Sequence, residues 1–153
     1  MMDTSALRIA IIVSRYNEHV TSALLAGAKK TLIESGIAES KIEVHYVPGA
    51  FELPLAAQAA SMRSNVDAVI CLGAVIRGET PHFDYVCSSA AQGILQASLK
   101  SGKPIGFGVL TTNTVEQAFA RAGGTVGNKG SEAALAVIEM IRTLHSIGGE
   151  ESR

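Results

Sequence analysis

Residues 73–86 read Gly-Ala-Val-Ile-Arg-Gly-Glu-Thr-Pro-His-Phe-Asp-Tyr-Val and gather several groups that could do chemistry into one short stretch. Gly78 allows backbone to come close to a ligand, and Arg77, Glu79 and Thr80 surround it. A threonine and an arginine at a helix start suit an anion, while His82 supplies an imidazole that can move protons. The bland alternative is a capped connection whose histidine merely packs, the commoner fate of a lone histidine. Other polar groups along the chain weigh against it.

Arg121 and Lys129 bracket a glycine-rich stretch, residues 123–130. A guanidinium can donate two parallel hydrogen bonds to a phosphate, and exposed glycine N–H groups would complete the cradle. The Walker A pattern is excluded, because Asn128 precedes Lys129 and Gly130 follows it. Tyr16 offers a ring on which a planar heterocycle could stack, or simply packs at the surface. Glu52, beside the Pro48-Gly49 turn, either interacts with a helix dipole or accepts hydrogen bonds from ligand hydroxyls. Glu79 and Asp84 flank His82 as first-turn carboxylates, and neither serine nor cysteine stands in a nucleophile elbow. A covalent mechanism is not suggested.

Alternating strands and helices position these groups. Residues 8–14 read as a central strand, apolar on both faces, and residues 20–35 as a helix with Leu24, Ala28 and Leu32 on one stripe. Residues 41–47 alternate as a strand nearer the sheet edge does, and an alanine-rich helix then runs to about Arg63. Residues 67–72 form a third strand. A helix follows, carrying Val86, Ala90, Ile94 and Cys87, Ala91, Leu95 at helical spacing as far as Gly102. Residues 104–110 are a fourth strand. A short helix is capped by Asn113 or Thr114, and a last helix spans about 131–147 with Ala134, Val137, Ile141 and Leu144 inward.

This order implies right-handed crossovers and a three-layer α/β/α sandwich with a mainly parallel four-stranded sheet, of flavodoxin-like type. Tyr16, Glu52, the 78–82 cluster and the residues after Phe107 should then converge on one rim. An FMN pocket is disfavoured, since the loop after the first strand lacks glycines or a Ser/Thr cluster for a phosphate.

With 153 residues, residues 1–153 are expected to form one domain, with 1–7 and 148–153 as flexible tails. The composition, 47% hydrophobic against 18% charged, excludes a disordered chain. A net charge of −1 with interspersed signs leaves no footprint for nucleic acid or an acidic membrane. No apolar run approaches the roughly 20 residues that span a bilayer, and no signal peptide is visible. Two separated cysteines and scattered histidines imply reduced thiols, a cytoplasmic chain and no metal site.

Taken together, residues 48–54 (Pro-Gly-Ala-Phe-Glu-Leu-Pro), residues 73–83 and Gly127-Asn128-Lys129-Gly130 resemble the 6,7-dimethyl-8-ribityllumazine synthases, from about Arg8 to Leu144. The resemblance implies a transferase of riboflavin biosynthesis. Such an enzyme condenses 5-amino-6-(D-ribitylamino)uracil with 3,4-dihydroxy-2-butanone 4-phosphate, releases phosphate and water, and needs no cofactor. It implies that Tyr16 stacks on the pyrimidine and that Ala50, Phe51 and Glu52 hold the ribityl chain. Ala74, Val75 and Ile76 would present backbone to the uracil edge, Glu79 and Thr80 would bind phosphate, and His82 would shuttle protons. Phe107, Arg121 and Lys129 match residues that the family contributes from a neighbouring subunit. The family's unit is a homopentamer, some members build sixty-subunit shells, and association with riboflavin synthase is a further implied partnership. The chain departs from the family's frequent pattern at Asn113 and Ala120, where relatives often carry an acid. The competing reading is a non-catalytic flavin- or lumazine-binding protein of the same fold, for which a retained His82 and Arg121 would have no use.

Overall fold

A computed structural model describes residues 3–149. Four strands, β1 (Ile9–Ser14), β2 (Ile42–Val47), β3 (Ala68–Ile76) and β4 (Ile105–Thr112), form one parallel sheet in the order β2-β1-β3-β4. Every residue of β1 is buried, which accounts for a run apolar on both faces. Ile9, Ile11 and Val13 enter one core and Ala10 and Ile12 the other. Strand β2 is an edge, with His45 and Tyr46 exposed.

Helices α1 (Glu18–Glu34) and α5 (Lys129–Ile147) cover one face; α2 (Leu53–Ser61) and α3 (His82–Ser101) cover the other. This division follows from right-handed crossovers. The chain steps from β1 to β2 one way and from β2 over β1 to β3 the other way, so the covering helix changes face. The reversal leaves a crevice outside the carboxyl ends of β1 and β3, where ligands bind in open sheets of this kind.

Several local expectations change. Leu7 is buried and follows a 3-10 turn at Thr4–Ala6. Gly148 and Gly149 bond back to Leu144 and Ser146; the rest of the expected tails, residues 1–2 and 150–153, lie outside the described residues. The Cys87, Ala91, Leu95 stripe does not enter the core: Leu95 is exposed, and α3 buries Phe83, Ala90, Ile94 and Ala97 instead. Leu144 is likewise exposed, since α5 turns Ala133, Ala134, Val137, Ile138 and Ile141 inward. Thr114 rather than Asn113 caps α4 (Val115–Ala120), in a reciprocal box with Gln117.

The glycine-rich stretch is built for packing. It forms a small antiparallel hairpin, β5 (Ala122–Gly124) with β6 (Gly127–Asn128), before entering α5. Two of its N–H groups are committed to backbone, Val126 to Ala120 O and Lys129 to Arg121 O, both at 2.8 Å. These two groups are not open to a ligand. Asn128 caps α5 by accepting from the Ser131 N–H and donates to Ala23 O. A Cβ on Gly130 would collide with the Leu24 carbonyl, so this glycine lets α1 and α5 approach. Gly130→Ala should cost about 3 kcal/mol through overpacking, read as a lower denaturant midpoint.

At the opposite end of the sheet Arg63 donates to both Glu43 oxygens, at 2.8 and 3.0 Å. Arg8 and His45 lie 3.4 and 3.1 Å from the same carboxylate. The Arg63 hydrogen bonds first, and then that of His45, hold the Glu43 carboxyl down at about 2 against an ordinary 4.5. A depressed folded-state value stabilises the fold above the unfolded value, and the contribution is lost as pH falls toward about 2. Glu43→Gln should cost about 1 kcal/mol at neutral pH, the scale of a half-exposed pair. Thermal melts should show the difference closing at acid pH.

Candidate active site

A cavity of about 600 Å³ opens at the crevice between β1 and β3. Tyr16 and Asn17 line it from the loop after β1, and Gly49 to Glu52 from the loop after β2. Ala74, Val75 and Ile76 come from the end of β3, and His82, Tyr85 and Val86 from the first turns of α3. Parallel strands deliver their following loops to one side, which explains how residues so distant in sequence meet.

Each wall has a local cause. Tyr16 is fixed by its N–H donating to Pro48 O, and its ring lies against Gly49, where a Cβ would sit 2.6 Å from the ring. Gly49 has extended backbone open to any residue, so the ring contact is what requires glycine. Tyr16 and Phe51 are 66% and 60% exposed, so their ring faces remain open to a planar ligand. Glu52 accepts from the Gly49 N–H at 2.9 Å through Oε1, closing a capping interaction and leaving Oε2 for a hydroxyl donor. The helix-start role weighed from sequence is thus observed.

Helix α3 begins at His82, earlier than its apolar pattern shows, with Pro81 as N-cap and no side-chain cap. Open N–H groups and the helix dipole there favour an anion. Glu79 and Thr80 lie exposed in the loop just before this end, next to the cavity but outside its lining. His82 is exposed on the cavity wall.

Phe107, Arg121 and Lys129 do not join this cavity. Phe107 stands in mid-β4 opposite Cys71, away from the strand's carboxyl end, and lines a groove with Ile94, Leu95 and Ser98 on the α3 side. Arg121 and Lys129 line a third hollow of about 270 Å³ with Thr111, Thr112 and Glu132. The residues after Phe107 therefore turn toward Arg121, and the single rim expected from sequence is divided. Arg121 Nη1 donates to Gln117 O at 3.0 Å, and Lys129 Nζ lies 3.7 Å from Glu132 Oε1. Among the described residues no group of three or more His, Cys, Asp or Glu could hold a metal ion.

A profile of the 6,7-dimethyl-8-ribityllumazine synthase family matches residues 6–145. The chain belongs to that family. Two relatives carrying this description, from two strains of Thermus thermophilus, are each 53% identical to it over 147 residues. The match covers 96% of this chain and 94% of each relative. The four-stranded sheet and its layers are those expected from the resemblance.

Four cavity residues escape the sequence reading: Asn17, Gly49, Tyr85 and Val86. The last two follow His82 by three and four positions, so a helix started at His82 brings them to its face. Asn17 adopts the left-handed conformation (φ 63°) and donates from Nδ2 to Ala74 O at 2.9 Å. Asparagine tolerates that conformation, and its place in a polar turn is the only sequence signal.

Proposed function

We infer that this chain is a lumazine synthase, condensing 5-amino-6-(D-ribitylamino)uracil with 3,4-dihydroxy-2-butanone 4-phosphate to 6,7-dimethyl-8-ribityllumazine, phosphate and water. The observation that carries this is the cavity between β1 and β3, in which Tyr16, Glu52, Ala74 to Ile76 and His82 meet in a member of this family. The comparisons give no support to a non-catalytic carrier.

The substrate brings its own amine, so imine formation needs no lysine. Tyr16 stacks on the pyrimidine, Val75 and Ile76 offer backbone to its edge, and Ala50, Phe51 and Glu52 receive the ribityl chain. Glu79, Thr80 and the uncapped end of α3 bind the phosphate. His82 takes and returns protons as the imine forms, phosphate leaves and the ring closes. Such proton transfer is worth roughly 10²–10⁴-fold, and holding two substrates together contributes comparably or more.

Phe107, Arg121 and Lys129 act across a subunit boundary: those of one copy complete the cavity of the next. Exposed Leu55, Leu95, Leu99 and Tyr85 on the α2–α3 side support a covering copy there. The assembly is a homopentamer of single-domain subunits in the cytoplasm, with a sixty-subunit shell and riboflavin synthase association as further members of the same reading. No described helix is long and apolar enough to cross a membrane. Light scattering that finds a pentamer or multiple of it supports the shared site; an active monomer overturns it. The activity itself is tested by following the lumazine absorbance band with both substrates. Product above the spontaneous reaction is expected, and its absence overturns the assignment.

A further inference from the structure

We propose that Arg77 is a positioning residue for the phosphate end of the site, holding the 78–81 loop by its base and neutralising Asp84 beside the start of α3; this rests on the functional reading above. The Arg77 N–H donates to Thr112 O at 2.9 Å, carrying the β3–β4 ladder one step past β3. Its side chain then reaches two further elements. Nε donates to Asn113 Oδ1 at 2.8 Å in the loop after β4. Nη2 lies 3.6 Å from Asp84 Oδ1, and the guanidinium carbon lies 4.4 Å from the centre of the Phe83 ring. Phe83 is itself buried, so the stacked guanidinium is referenced to the core.

The loop between these contacts has little else to define it. Residues 78–81 are all exposed, and a Cβ on Gly78 would meet nothing within 4 Å. Its shape is therefore set at its two ends, and Arg77 bridges them from the end of β3 to the first turn of α3. That bridge fixes where Glu79 and Thr80 stand relative to the open α3 amides.

Charge adds a second effect. Asp84 sits in the first turn of α3, where a carboxylate interacts with the helix dipole and repels an arriving phosphate. Arg77 offsets that repulsion. Lysine would supply the charge without the planar fork that stacks on Phe83 while donating to Asn113.

Arg77→Met should raise KM for the butanone phosphate about fivefold, the scale of a first-turn charge. KM for the ribitylaminouracil should stay within about twofold. Arg77→Lys should recover only part of the loss, and adding Asp84→Asn to Arg77→Met should likewise restore the charge-dependent part of the phosphate affinity. Calorimetric binding of inorganic phosphate should follow the same order, independently of turnover. Equal shifts in both KM values without rescue by Asp84→Asn, or unchanged phosphate binding in Arg77→Met, would overturn the proposal. Wild-type protein that binds phosphate but makes no lumazine would overturn the functional reading instead.

Discussion

Replacing His82 by alanine should lower kcat for lumazine formation about 10²–10⁴-fold, with both KM values changed little. The reason lies in where the ring stands. His82 opens α3 on the wall of the β1–β3 cavity, exposed and outside the core. Its removal leaves Phe83, Ala90 and Ile94 packed as before, so the fold should survive. What disappears is the group that carries protons between successive intermediates. The alanine variant should retain activity above the spontaneous reaction, because stacking and phosphate binding still hold the two substrates together. Steady-state rates at the lumazine band, measured across pH, provide the check. A loss smaller than about threefold would remove His82 from the chemistry.

The Arg121→Ala variant should raise KM for the butanone phosphate about 10²-fold, the scale of losing a charge-assisted pair of hydrogen bonds to phosphate. The guanidinium is already oriented in the free chain, tied to the end of α4 through Gln117 O. Orientation fixed beforehand reduces the entropy cost of gripping the anion. The ribitylaminouracil KM should barely change, since Tyr16, Phe51 and Glu52 are untouched. Separate titration of the two substrates distinguishes this outcome from general damage, which would move both constants.

The sheet was legible in the sequence because its signals are physical and repeated. Ile9 to Val13 need apolar surroundings on both faces, and only a central strand provides them. The hairpin at residues 122–128 was not legible, because strands of two and three residues rich in glycine carry no alternation. Leu144 was assigned inward because an apolar residue at helical spacing looks the same whether it meets its own core or another surface. The cavity wall from Tyr16, Glu52 and His82 followed from strand-to-loop order. The division of Phe107 and Arg121 from that wall depends on how far along β4 each stands, and residue types alone do not encode it. Gly130 shows the same limit. Its sequence context suggested a phosphate cradle, while its missing Cβ accommodates the Leu24 carbonyl.

Mixed assemblies of His82→Ala and Arg121→Ala subunits decide whether one copy's His82 works with the next copy's Arg121. Each variant alone presents only damaged sites. Random mixing in equal parts pairs an intact His82 with an intact Arg121 at about a quarter of the interfaces of a ring. With butanone phosphate held near the wild-type KM, far below that of Arg121→Ala, the mixed assembly should therefore recover about a quarter of the wild-type rate of lumazine formation. A rate no higher than the average of the two single-variant assemblies would place both residues in one subunit's site and contradict the shared one.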